Sequence, residues 1–92
     1  MRLFQKEVDF IKSKILKYIP DAEIYIFGSI LKDNVRGGDI DIYIITNNIP
    51  DFLTKSTLKF ELENKLFRPV DLVFHKDFNI LIEKEAKKGI KI

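Results

Sequence analysis

The 92 residues contain no cysteine. That absence excludes disulfides and thiolate metal sites, and it is the composition expected of the reducing cytoplasm. No apolar run approaches the ~18 residues that a membrane helix needs. The N-terminus, Met1-Arg2-Leu3-Phe4-Gln5-Lys6-Glu7, meets a charged pair too early to hold a signal-peptide core. The formal net charge is +2, too small to argue for nucleic acid or an anionic membrane as partner. The lysines are spread along the chain with no aromatic-basic interleaving, which also speaks against direct nucleic-acid binding. No internal repeat, linker or low-complexity segment interrupts it. An EF-hand fails by register. Counted from Asp33, the third and fifth loop positions are Val35 and Gly37, which offer no side-chain oxygen.

What is present is globular: 46% apolar and 33% charged residues. The length fits a single domain spanning 1–92, which on folding buries somewhat over ~60% of its unfolded surface.

Phe4, Val8, Ile11, Ile15 and Tyr18 recur at helical spacing and predict an amphipathic helix over 3–18, ended near Ile19-Pro20. Glu23 to Phe27 is a short β-branched and aromatic run, a strand. Gly28-Ser29 breaks it, Ile30 to Asp33 can form one helical turn, and Asn34 to Gly38 reads as a loop. Asp39 to Thr46 is a second strand, and Asn47 to Pro50 turns the chain. A second helix runs from about Asp51 to Leu66, and Pro69 to His75 is a third strand. Asp77 is placed to cap a last helix from Phe78 to Lys88, stopped by Gly89. The tail, Ile90-Lys91-Ile92, can add a short final strand. The alternation predicts an α/β (α+β) domain, a small mixed sheet flanked by helices. Phe52, Phe60, Phe67 and Phe78 are expected in the core.

The chemistry concentrates in three places. Along the second strand, Asp39, Asp41, Tyr43 and Ile45 share one face, and Ile40, Ile42 and Ile44 share the other. Two like charges on one face repel and resist burial unless a cation lies between them. Carboxylate oxygens suit Mg²⁺ or Mn²⁺. The bland reading is a pair of solvated acids at a strand's start. Next, Gly28-Ser29 directly follows a strand. Glycine lets backbone approach a ligand, and a helix starting there would aim N–H groups at a phosphate, with Lys32 adding a cation. Taken singly, it is a turn. Finally, Asp71 interrupts the apolar third strand, "PVDLVF". If that strand pairs beside the second, at about 4.8 Å, Asp71 reaches the same cluster. Otherwise it is an edge acid neutralised by Arg68. Arg36 in the loop is a further phosphate-binding candidate. His75 reads as a surface or partly buried group rather than a catalytic one, the lysines at 84, 87 and 88 as a solvated helix end, and Tyr43 as core packing with base stacking as the alternative.

Together, Gly28-Ser29, the nine residues Ile30 to Gly38, the Asp39-Ile40-Asp41 pair and the later Asp71 resemble the minimal nucleotidyltransferases of the polymerase-β superfamily. The likeness runs from Ile24 to the C-terminal "KKGIKI". It implies a nucleoside triphosphate, ATP, with its phosphates over Gly28 and Ser29, and Lys32 matches a commonly basic position of the family. It implies two Mg²⁺ ions roughly 3.5–4 Å apart, held by Asp39, Asp41 and Asp71. An acceptor hydroxyl would attack the α-phosphorus, with Asp71 helping to take its proton. Many relatives carry a basic residue after the serine and a glycine four positions beyond it; here these are Ile30 and Asp33. The residue before the first aspartate is often serine, and here it is Gly38.

A core of this size resembles the antitoxin of two-gene modules whose partner is a small helical HEPN toxin. That likeness implies adenylyl transfer to the partner. The alternative is a catalytically weak or inert nucleotide-binding module that neutralises its partner by contact alone. A small-molecule transferase would need acceptor contacts supplied by a homodimer.

Overall fold

The computed structural model describes residues 3–32 and 38–92. Three helices and four strands follow one another as α1 (Gln5–Tyr18), β1 (Glu23–Phe27), a 3₁₀ turn (Gly28–Leu31), β2 (Ile40–Ile45), α2 (Phe52–Leu66), β3 (Val70–Phe74), α3 (Leu81–Lys87) and β4 (Ile90–Lys91).

The strands form one sheet in the order β3-β2-β1-β4. β1 is antiparallel to both β2 and β4, and β2 is parallel to β3. The sheet is therefore mixed, as the short step from β1 to β2 predicts. A parallel pair needs a crossover, and α2 supplies it.

Ile24, Ile26, Ile40, Ile42, Ile44 and Val70 line one face of the sheet. α1 covers it with Val8, Ile11 and Ile15, and α2 with Leu58, Leu62 and Leu66. The first set recurs at intervals of three and four residues and the second at intervals of four, so each helix lays one stripe on the strands. Asp51 caps α2 by accepting the Thr54 N–H at 2.8 Å. α2 ends at Phe67, whose φ of 56° is left-handed. The other face carries Tyr25, Phe27 and Tyr43, packed against Ala86 of α3.

Two expectations are corrected. The last helix begins at Leu81, with Ile80 as its cap, rather than at Phe78 behind Asp77. Asp77 instead closes a turn: its side chain accepts the Asn79 N–H at 2.9 Å and its carbonyl the Ile80 N–H at 3.0 Å. The phenylalanines expected in the core lie outside it. Phe52, Phe60 and Phe67 are 84%, 67% and 89% exposed, because the leucines take the sheet-facing stripe of α2. Phe78 stacks on His75 with ring centroids 4.0 Å apart. Phe4, counted with the apolar face of α1, is also exposed.

Candidate active site

The end of β1 and the starts of β2 and β3 meet at one edge of the sheet. The register sets Phe27 beside Asp41 and Asp41 beside Asp71. Side chains alternate along strands, so both acids project on the Tyr43 face while Ile40 and Ile42 anchor β2 in the core. Asp41 is half-buried and Asp71 exposed. Burial pushes the Asp41 carboxyl above the usual range. The charges of Asp71 and Asp39, and a hydrogen bond with the Asp71 carboxyl, push it the same way. Asp39 stands one residue before β2 and is exposed.

Gly28 has a φ of +83°. A Cβ built there would lie 2.3 Å from Asp41 Oδ2. The carboxylate thus rests over the glycine's α-carbon, and any side chain at this position would displace it. Gly-Ser and Asp-x-Asp are two halves of one construction. The segment after Gly28 is a 3₁₀ turn rather than the start of a longer helix, and Ile30 is fully buried under it. That accounts for an apolar residue where relatives are often basic: here the position faces the core. Ser29 is partly exposed and Lys32 exposed at the turn's end. Arg36 and Asp33 lie outside the described residues.

Gly28, Ser29 and Lys32 open onto a cleft of about 380 Å³ whose far wall is Glu85, Lys88 and Gly89. Lys88 pairs with Glu85 at 3.5 Å. Its place beside the glycine-serine turn was not expected from the sequence. Some sixty residues of chain separate them, and no local pattern marks the contact. Gly89 makes it possible, because a Cβ there would stand 2.2 Å from the Ile26 carbonyl oxygen.

Tyr43 is fully buried and packs in the core rather than offering its ring to a base. Its hydroxyl donates to Glu83 Oε1 at 2.7 Å, and His75 Nδ1 lies 2.7 Å from the same oxygen. Glu83 Oε2 accepts the N–H groups of Lys76 and Asp77, each at 3.0 Å. Burial pushes the Glu83 carboxyl up, but the Asp77 N–H, Tyr43, His75 and the Lys76 N–H together outweigh it and bring it down to about 2. Desolvation and Glu83 push the Tyr43 hydroxyl well above its ordinary value. No local pattern marks Glu83 as a buried acid.

Among the described residues no three of His, Cys, Asp and Glu are gathered closely enough to hold a metal ion. Asp41 and Asp71 are brought together, and Asp39, one residue before β2, adds its charge to Asp41. The chemistry of the set still fits a divalent cation. Its donors are hard carboxylate oxygens, and the mutual repulsion that raises the Asp41 carboxyl is what a dication relieves.

Comparison with known proteins bears on the fold and the family. No curated protein sequence matches the chain. Among solved structures, the toxin–antitoxin pair MntA–HepT matches at 28% identity and a TM-score of 0.61, over 77% of this chain and 55% of that one. The tri-AMPylated Shewanella oneidensis HEPN toxin in complex with MNT antitoxin matches at 25% identity and a TM-score of 0.75, over 95% and 69%. A mutant MntA–HpeT complex superposes with a TM-score of 0.77 over 92% and 70%; at 24% identity it shows the fold alone. The chain thus spans 55% of the length of the first of these matched chains. The family model "Polymerase beta, Nucleotidyltransferase" matches residues 11–92, and the chain belongs to that family as a minimal nucleotidyltransferase domain similar to the MNT antitoxins.

Proposed function

We propose that this domain is a Mg²⁺-dependent adenylyltransferase that moves AMP from ATP to a hydroxyl on a HEPN-type partner, and so acts as an antitoxin in the cytoplasm. The observation that carries the reading is the Asp41–Asp71 pair at one strand register, with the Gly28 backbone directly beneath Asp41. The neighbouring complex with a tri-AMPylated HEPN toxin supports the choice of nucleotide and acceptor.

The residues divide the work. Gly28 and Ser29 let the triphosphate approach the backbone, and Lys32 and Lys88 supply positive charge on either side of the cleft. Arg36, outside the described residues, is a further candidate for phosphate binding. Asp39, Asp41 and Asp71 would hold Mg²⁺, or Mn²⁺ in its place. When bound, the ions offset charge on the attacking and leaving oxygens. The acceptor oxygen bonds to the α-phosphorus as the bond to the β-bridging oxygen breaks. Pyrophosphate leaves with that electron pair, and Asp71 takes the hydroxyl proton. The test is transfer of label from ATP carrying a labelled α-phosphate to the co-expressed partner. Wild type should label it and Asp39→Ala should not; labelling that survives the substitution would sink the proposal.

A second reading, neutralisation by contact alone, is favoured by one observation: the three acids do not form a ligand cluster as they stand. A partner silenced equally well by the Asp39→Asn, Asp41→Asn double variant would establish it.

A further inference from the structure

Asp71, beside Asp41, also lines a second groove of about 720 Å³. This groove straddles the outer edge of the sheet. β3 is the terminal strand, and among the described residues no strand pairs with its other side. On the β2 side, the Pro69 carbonyl accepts from Ile40 and the His75 N–H donates to Ile44 O. Odd-numbered residues of β3 therefore face β2. The main-chain groups of Leu72 and Phe74, by alternation, face the groove. One wall is α2, with Phe52, Lys55 and Lys59. The other is the turn into α3, with Ile80 and Ile82, and Lys76 stands beyond the end of β3. Glu83 also lines the groove, but its carboxylate is occupied by Tyr43, His75 and two backbone N–H groups.

We propose that this groove receives the acceptor: an extended segment of the partner protein adds a strand to β3 and delivers its hydroxyl beside Asp71. The placement rests on the transferase reading above, but the docking itself does not require transfer. An exposed edge strand is a template for main-chain pairing. The two walls differ in chemistry, so they select alternate side chains of the added strand. Residues over α2 meet Lys55 and Lys59 and are acidic. Residues over the other wall meet Ile80 and Ile82 and are apolar. β3 is about 16 Å long, enough for a five-residue partner strand that ends next to Asp71. The open edge favours a peptide over a nucleic acid, whose backbone cannot extend the ladder.

The test begins with a displayed library of random peptides about nine residues long, a full strand's length, panned on the protein without nucleotide. Recovered peptides are synthesised with fluorescein and titrated by anisotropy. Acidic residues alternating with apolar ones are expected, with amide chemical-shift changes at Leu72 and Phe74. Affinity should fall about tenfold or more in the Lys55→Glu, Lys59→Glu double variant, where the attractions of half-buried Lys55, whose ammonium lies over the Phe74 ring, and of exposed Lys59 become repulsions. Leu72→Pro, which removes an outward N–H without touching the β2 ladder, should weaken binding similarly. Circular dichroism checks that both variants fold, and either alone suffices. Failure to recover any peptide, or peptides that bind both folded variants like wild type, overturns the proposal. So does tighter binding of an oligouridylate at the same groove. If peptides bind but label transfer ignores Asp39→Ala, the transferase reading falls and the groove stands. If Asp39-dependent transfer is unchanged in the lysine variant, the reverse holds.

Discussion

Replacing Asp71 with asparagine should stabilise the domain in the absence of metal. Neighbouring strands lie about 4.8 Å apart, and at that separation two unit charges repel by about 1 kcal/mol in water and about 3.5 kcal/mol at an effective dielectric of 20. Asp71 is exposed and Asp41 half-buried, which favours the lower figure, about 1 kcal/mol. In a domain of this size that is roughly 4–8 °C in melting temperature. The sign follows from the direction of the Asp41 shift. An acid whose folded pKa is raised costs nothing below its unfolded pKa. It costs progressively more as pH rises toward the folded value, and the cost is complete above it. Wild type should therefore lose stability across that window and Asp71→Asn should lose less. The assay is thermal melting in low salt with EDTA, repeated in millimolar Mg²⁺. Mg²⁺ should raise the melting point of wild type well above that of the variant, reversing their order. An Asp71→Asn protein that melts below wild type in EDTA, or equal Mg²⁺ shifts in both, would refute the reasoning.

Gly28→Ala should cost about 1–2 kcal/mol from its left-handed backbone and should weaken ATP binding, because the new methyl displaces the Asp41 carboxylate; calorimetry on the folded variant reads both. Glu83→Ala should cost about 2–4 kcal/mol in urea melts, since it leaves the buried Tyr43 hydroxyl and two N–H groups without their acceptor. The Glu83 carboxyl is lowered to about 2, so its contribution is present above the ordinary carboxylate range and is lost as pH falls toward 2; the acid limb of stability should flatten in Glu83→Gln. Phe67→Gly should raise stability by about 0.5–1 kcal/mol in the same melts, because the helix ends there in a left-handed conformation and the exposed ring packs on little.

Local pattern was enough for most of the fold. The period of 3.6 marked α1 and α2, and the β-branched runs marked β1 to β3. The exposed phenylalanines show where such reading fails. On α2 both Leu and Phe recur at helical intervals, and composition alone does not say which stripe turns inward. The partner surfaces decide, and the isoleucine face of the sheet accepts the leucines. The start of α3 was missed for a related reason. Asp77 looks like a cap, but Glu83, six residues on, holds its N–H, and the chain turns before it winds.

The candidate site divides in the same way. Local sequence is enough to name the available groups: a glycine-serine break after one strand, two acids of one parity on the next, and a lone acid on the third. Each depends on neighbours within a few residues. Tertiary structure decided what they do together. The β2–β3 register sets Asp41 beside Asp71, the turn at Gly28 brings backbone beneath Asp41, and the end of α3 carries Lys88 across the cleft. Registers and helix docking are set by how whole faces pack, and no short stretch of chain encodes them.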